Sequence, residues 1–128
     1  MRALLDTHTL LWWLFDDRRL SVRARAAIEE GANDILVSSV TGWEIATKHR
    51  LGRLPHASAA LKDLPGTIRR AGFDVLPISM AHALAAGGLL GPHRDPFDRM
   101  LAAQSRLDGV PLVTNDGAFA SLGVVTLW

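Results

Sequence analysis

No cysteine occurs among the 128 residues, so disulfides and cysteine-ligated zinc are excluded, and a reducing cytoplasm suits the composition. No apolar run approaches the roughly 20 residues needed to span a bilayer; the longest, such as Thr9 to Phe15, stop far short. No basic segment followed by a cleavage site opens the sequence. A signal peptide is therefore not expected, and the protein is read as cytoplasmic, with no membrane partner. Lysine is scarce: twelve of the 14 Lys and Arg residues are arginine, and none of the lysines follows Lys62. Arginine forks match phosphate oxygens, although a GC-rich genome produces the same bias. A formal net charge of +1 argues against a broad polycationic surface and leaves room for a local basic patch. Internal repeats and low-complexity linkers are also missing, and the length suits a single domain over residues 1–128.

Hydrophobic residues make up 48% of the sequence, and they fall in short runs bounded by turn signals. Ala3–Leu5, Ile35–Val37, Asp74–Ile78 and Pro111–Thr114 read as strands, with a fifth at Val124–Leu127. Leu10–Phe15, Val22–Glu30, Thr41–Arg50, Ala57–Ala71, Met80–Leu89 and Pro96–Leu107 read as helices. Strands alternating with helices imply an α/β protein whose mostly parallel sheet, of about four to five strands, is covered on both faces. Such sheets bind ligands at the carboxyl ends of their strands. Asp6 directly follows the first strand and would stand at that mouth, although it is equally placed to cap the helix beginning near Thr7.

Ten aspartates and three glutamates compete for a role. Asp16, Asp17, Asp34, Asp63 and Asp108 fall in polar turns or at helix ends; Glu29 and Glu30 close a helix, and Asp74 opens a strand. Asp116 ends a strand in "LVTNDGAF", where an Asp-Gly turn is the simpler account. Thr41-Gly-Trp-Glu44 has the spacing of a capping box, yet it also places Glu44 near a strand-end mouth. In "DPFDR", Asp95 reads as an N-cap ahead of Pro96, and Asp98 reads as the third helical residue. Asp98 shares a face with the small Ala102 and Ser105, which leaves room around its carboxylate. Asp6, Glu44, Asp98 and Asp116 thus come from four segments that the topology can bring to one edge. Four such charges repel unless compensated, and all-oxygen ligands suit Mg²⁺ or Mn²⁺. Acidic clusters holding such ions hydrolyse phosphodiesters. No Ser-His-Asp, P-loop or dinucleotide motif competes.

"LLDTHTLLWWL", "VSSVTGWEIATKHRLGRL" and "DPFDRMLAAQSRLDGVPLVTND", in that order and covering nearly the whole chain, resemble PIN-domain ribonucleases. More narrowly, they resemble the VapC-type toxins of bacterial toxin–antitoxin pairs. The resemblance implies a PIN-like three-layer α/β/α sandwich and a Mg²⁺- or Mn²⁺-dependent endoribonuclease acting on single-stranded or looped RNA. It also implies a cognate VapB-type antitoxin and a homodimer. The family's acidic cluster falls on Asp6, Glu44, Asp98 and Asp116, with Thr114 and Thr7 in supporting places.

Lys48, His49, Arg50, Arg53 and His56 form the densest basic stretch and are read as phosphate contacts, or else as a solvated helix face. Arg99, beside Asp98, is a further candidate for RNA. Trp12 and Phe15 share a helical face, with Trp13 about 100° away; one aromatic face should enter the core and the other meet a partner. Two other readings stay open: a PIN-like nuclease acting in RNA processing or on DNA, and a Mg²⁺-binding receiver-like module. The second wants a lysine after a late strand, and the sequence has none there.

Overall fold

The computed structural model describes residues 1–128. Strand β1 (Arg2–Leu5) leads through Asp6 into α1 (Thr7–Leu14), and α2 (Val22–Glu29) returns the chain to β2 (Asp34–Ser38). Helices α3 (Ser39–Arg50), α4 (Ser58–Lys62) and α5 (Leu64–Arg70) precede β3 (Asp74–Leu76). Helices α6 (Met80–Gly88) and α7 (Pro96–Asp108) then lead to β4 (Leu112–Val113) and β5 (Thr126–Leu127), which are joined by a 3-10 segment over Gly117–Leu122.

All strand pairings are parallel and the order is β3-β2-β1-β4-β5, so the earliest strand is central. Register explains the two cores. Leu4 pairs with Leu36 on one side and Leu112 on the other, and this row points into one apolar cluster with Leu101, Ala102 and Phe119. Their strand neighbours Leu5, Val37 and Val113 point the opposite way, into a cluster with Leu10, Ile28, Ile45 and Ile68. Alternation along buried strands thus supplies both helical layers. Helices α1, α2 and α5 cover one face; α7, with α6 packed against it, covers the other. Helix α3 contacts both α1 and α7. The expected three-layer α/β/α arrangement around a five-stranded parallel sheet is what the chain adopts.

Three local readings need correction. The expected helix Ala57–Ala71 is broken into a 3-10 turn at Pro55–Ala57 followed by α4 and α5. Asp63 interrupts it by accepting from the Gly66 amide as the N-cap of α5, with Pro65 in that helix's first turn. The third strand stops at Leu76 because Pro77 has no amide for the ladder. Helix α3 is capped by Ser38, whose hydroxyl accepts from Val40 N at 3.0 Å, so Thr41 and Glu44 lie inside the helix and form no capping box. By contrast, α7 begins as its sequence signals: Asp95 accepts from Phe97 N and Asp98 N with Pro96 first in the helix. It ends at Gly109, whose left-handed φ of 64° favours glycine.

Leu101 is fully buried and anchors α7 to the Leu4–Leu36–Leu112 row. Leu101→Ala should lower unfolding free energy by about 2–5 kcal/mol, read as an earlier midpoint in urea with an unchanged slope.

Candidate functional site

The chain crosses from one side of β1 to the other between β3 and β4, so the carboxyl ends of β1 and β4 flank a topological switch point. Asp6 stands there, 5% exposed. Its backbone amide donates to Val113 O at 3.2 Å, extending the β1–β4 ladder by one residue. One carboxylate oxygen, Oδ1, accepts from Thr7 N at 2.7 Å, the N-cap contact of α1. The other, Oδ2, accepts from Thr114 Oγ1 at 2.8 Å. Thr114 Oγ1 in turn accepts from Asp116 N at 3.0 Å. Burial pushes the Asp6 carboxyl above its ordinary range and nearby Glu44 pushes the same way, while the Thr114 and Thr7 bonds and the His8 ring oppose.

Glu44 is 2% exposed and points from α3 toward α1. Thr7 Oγ1 donates to its Oε1 at 2.6 Å and lies 3.3 Å from the Thr41 hydroxyl. Lys48, one turn further along α3, donates to Oε2. Asp98 opens α7, and its Oδ2 lies 3.1 Å from His93 Nε2. Its carboxyl is pushed up to about 6, chiefly by burial, then by Asp95, and further by Asp6 and Glu44, with the His93 bond opposing. Glu44 thus lies close enough to disfavour the ionised forms of Asp6 and Asp98, and Asp6 that of Asp98. Asp116 is set apart: it is exposed, caps the Gly117–Leu122 segment through Ala118 N at 2.9 Å, and reaches the others only through Thr114.

The donors are oxygens throughout, and no three Asp, Glu or His side chains converge as a closed metal cage. This set fits a hard ion that keeps several waters and takes one or two carboxylates, as Mg²⁺ does. Both Glu44 oxygens already hold a protein donor, whereas no lysine or arginine reaches Asp6 or Asp98.

The remaining candidates are placed as follows. The Arg99 guanidinium donates to the carbonyls of Ala86 at 3.0 Å, His93 at 2.9 Å and Gly87 at 3.4 Å, and to that of Leu89. It closes the C-terminal end of α6 and holds the segment that carries His93 over Asp98. Arg50 and Arg53 are exposed and have no carboxylate partner. Trp13 packs on Phe73, with ring centroids 4.9 Å apart. Trp12 packs edge-on against Trp128 at 5.8 Å, with the Arg19 guanidinium 4.9 Å above its ring. Trp12, Phe15, His8, Arg19, Arg53 and His56 line a hollow of about 550 Å³ that begins two residues from Asp6. Sequence reasoning missed His93 as a partner of Asp98, and it read Lys48 as an outer phosphate contact. The i, i+4 spacing of Glu44 and Lys48 on one helix was the available signal for the second.

A family model described as the PIN domain matches residues 3–125. The chain is 30% identical over 117 residues to Ribonuclease VapC22 of Mycobacterium tuberculosis, spanning 89% of this chain and 86% of that one. It is 38% identical over 58 residues to Ribonuclease VapC16 of the same organism, a match spanning 45% of this chain and 41% of the relative. Among solved structures, VapBC2 from Rickettsia felis bound to a promoter DNA fragment superposes with a TM-score of 0.62. That likeness covers 99% of this chain and 98% of the other at 16% identity, and it speaks for the fold alone.

Asp98 binds its proton more tightly in the folded chain, at about 6, than at its ordinary value of 3.8. The folded state therefore carries the extra proton between those values, and stability falls as pH rises through that window, by about 3 kcal/mol at most. Urea midpoints taken in excess chelator should show this fall for the native chain. In Asp98→Asn the fall should shrink, leaving the variant the more stable at pH 7.5; parallel pH profiles would contradict it.

Proposed function

This chain belongs to the PIN-domain family, and from that premise we propose that it is a metal-dependent endoribonuclease toxin. It hydrolyses phosphodiester bonds of single-stranded or looped RNA and is neutralised by a cognate antitoxin. What supports the reading is that Glu44 adds to the cost of ionising both Asp6 and Asp98 at the switch point, and Asp6 adds to that of Asp98. A divalent cation, Mg²⁺ or Mn²⁺, relieves that cost. Asp6 and Asp98 are its first holders, because neither is engaged by a lysine or arginine. When bound, the ion lowers the pKa of a water and neutralises charge on the departing oxygen.

The chain's own groups do the rest. Thr114 and the Thr7 amide fix both oxygens of Asp6, so its free lone pairs keep one direction. Thr7 Oγ1 fixes Glu44 in the same way. His93 orients the Asp98 carboxylate, and Arg99 holds the segment that presents His93. Asp116 stands at the rim, where it can accept from a water or a ribose hydroxyl of an incoming strand. Arg50, which ends α3, and Arg53 just after it lie exposed for the RNA backbone, whose phosphates supply most of the affinity. The hollow beside Trp12 and Phe15 suits an apolar anchor of an antitoxin segment, since exposed aromatic pockets mark contacts. The likeness to Ribonuclease VapC22 supports a VapC-type role with such a partner, and a homodimer is part of the same reading.

Purified protein should cleave unstructured RNA in Mg²⁺ or Mn²⁺ and stop in excess chelator. Asp6→Asn and Asp98→Asn should each lose roughly 100-fold or more in rate with circular dichroism unchanged; native rates in both would end the proposal. Induced expression should arrest bacterial growth, and co-expression of a small antitoxin reading frame from beside the gene should restore it. Unimpeded growth would leave a nuclease without a toxin role.

A further inference from the structure

Among the acids of this site only Glu44 has a lysine or arginine partner, and that partner is Lys48. The ammonium reaches it from within the same helix, with 22% of the Lys48 side chain exposed and 3% of that of Glu44. The other oxygen of Glu44 holds the Thr7 hydroxyl. We propose that Lys48 is a built-in second cation of the site, occupying the Glu44 side so that one divalent ion is held there, by Asp6 and Asp98, and not two.

Charge decides the count. The three meeting carboxylates carry three negative charges when ionised. One divalent ion and the Lys48 ammonium cancel them in full. A second divalent ion would leave a double positive excess over these three, of which Asp95 beside Asp98 offsets only one charge, and a poorly solvated interior penalises the remainder. Geometry agrees, because one of the two donors on Glu44 is a cation whereas those on Asp6 are a neutral amide and a hydroxyl, and no three-carboxylate cage forms. In this arrangement Glu44 is a positioning residue: it anchors Thr7 and Lys48 beside the ion. The flanking cations offer no substitute, since Lys62 is at the far end of α4 and Arg99 is spent on carbonyls.

The inference rests on the metal-dependent reading above, and Mn²⁺ binding tests it without any turnover. Mn²⁺ added to the full chain is counted by calorimetry and by the loss of the free-ion electron paramagnetic resonance signal. The native protein should bind one ion per chain. Lys48→Met should bind a second, or bind the first at least about tenfold more tightly, because Glu44 is released. Glu44→Gln should weaken binding by leaving the ammonium uncompensated. The double variant Lys48→Met/Glu44→Gln, which buries neither charge, should return to one ion at close to native affinity.

Two ions on the native chain would overturn the proposal, as would a Lys48→Met variant that binds no more and no tighter. A double variant far weaker than native would also overturn it, by making Glu44 a direct ligand. If Lys48→Met fails to fold, the double variant alone carries the decision. Absence of Mn²⁺ from every folded variant would refute the metal-dependent reading itself and this proposal with it.

Discussion

A buried carboxylate at the end of the central strand is the constraint on which the rest of this molecule turns. Asp6 is simultaneously the last rung of the β1–β4 ladder, the cap of α1 and the acceptor of the Thr114 hydroxyl. Burying a carboxylate is costly unless hydrogen bonds or charge compensate it. Two hydrogen bonds do part of that work, and the elevated proton affinity of Asp6 shows that they do not complete it. The same shortfall recurs at Asp98, so the fold tolerates two under-compensated acids facing one mouth. The Leu4–Leu36–Leu112 row and the opposing Leu5–Val37–Val113 set hold the strand ends in register, which makes the strain tolerable. Stability is concentrated in the sheet so that its edge can remain electrostatically unfavourable, a trade common at functional sites.

Much of this arrangement is legible in the amino-acid sequence. Parallel strands buried on both faces are short and continuously apolar, and β1 and β2 carry that signature plainly. The start of α7 was equally legible, because Asp95 and Pro96 are local signals that need no tertiary context. The reading faltered where distant residues settled a local choice. The Thr41-x-x-Glu44 spacing suggested a capping box for α3; with Val40 and Ile45 packed into opposite cores, the helix instead starts at Ser39 and Ser38 caps it. The break between α4 and α5 depended on Asp63 turning its side chain onto Gly66, a choice that apolar periodicity does not record.

The site shows the same division. That Asp6 and Asp98 lie at element ends follows from sequence order. The pairing of His93 with Asp98 does not, because it depends on how the stretch after α6 folds back. Arg99 controls that stretch by tying two carbonyls of the last turn of α6 and two of the segment after it to one side chain of α7. Composition could say only that arginine was abundant; whether a given guanidinium meets phosphate or backbone is decided by the acceptors within its reach.

The hydrogen bond from Thr114 to Asp6 joins residues 108 positions apart. During synthesis, therefore, the site has no far wall until β4 has left the ribosome and docked beside β1. Long-range pairings of this kind are late events in folding. For a protein proposed to cut RNA, lateness is protective: the nascent chain is threaded through a machine made of RNA while its own chemistry is still unassembled. The central position of the earliest strand thus works as a timing device as well as an architectural one.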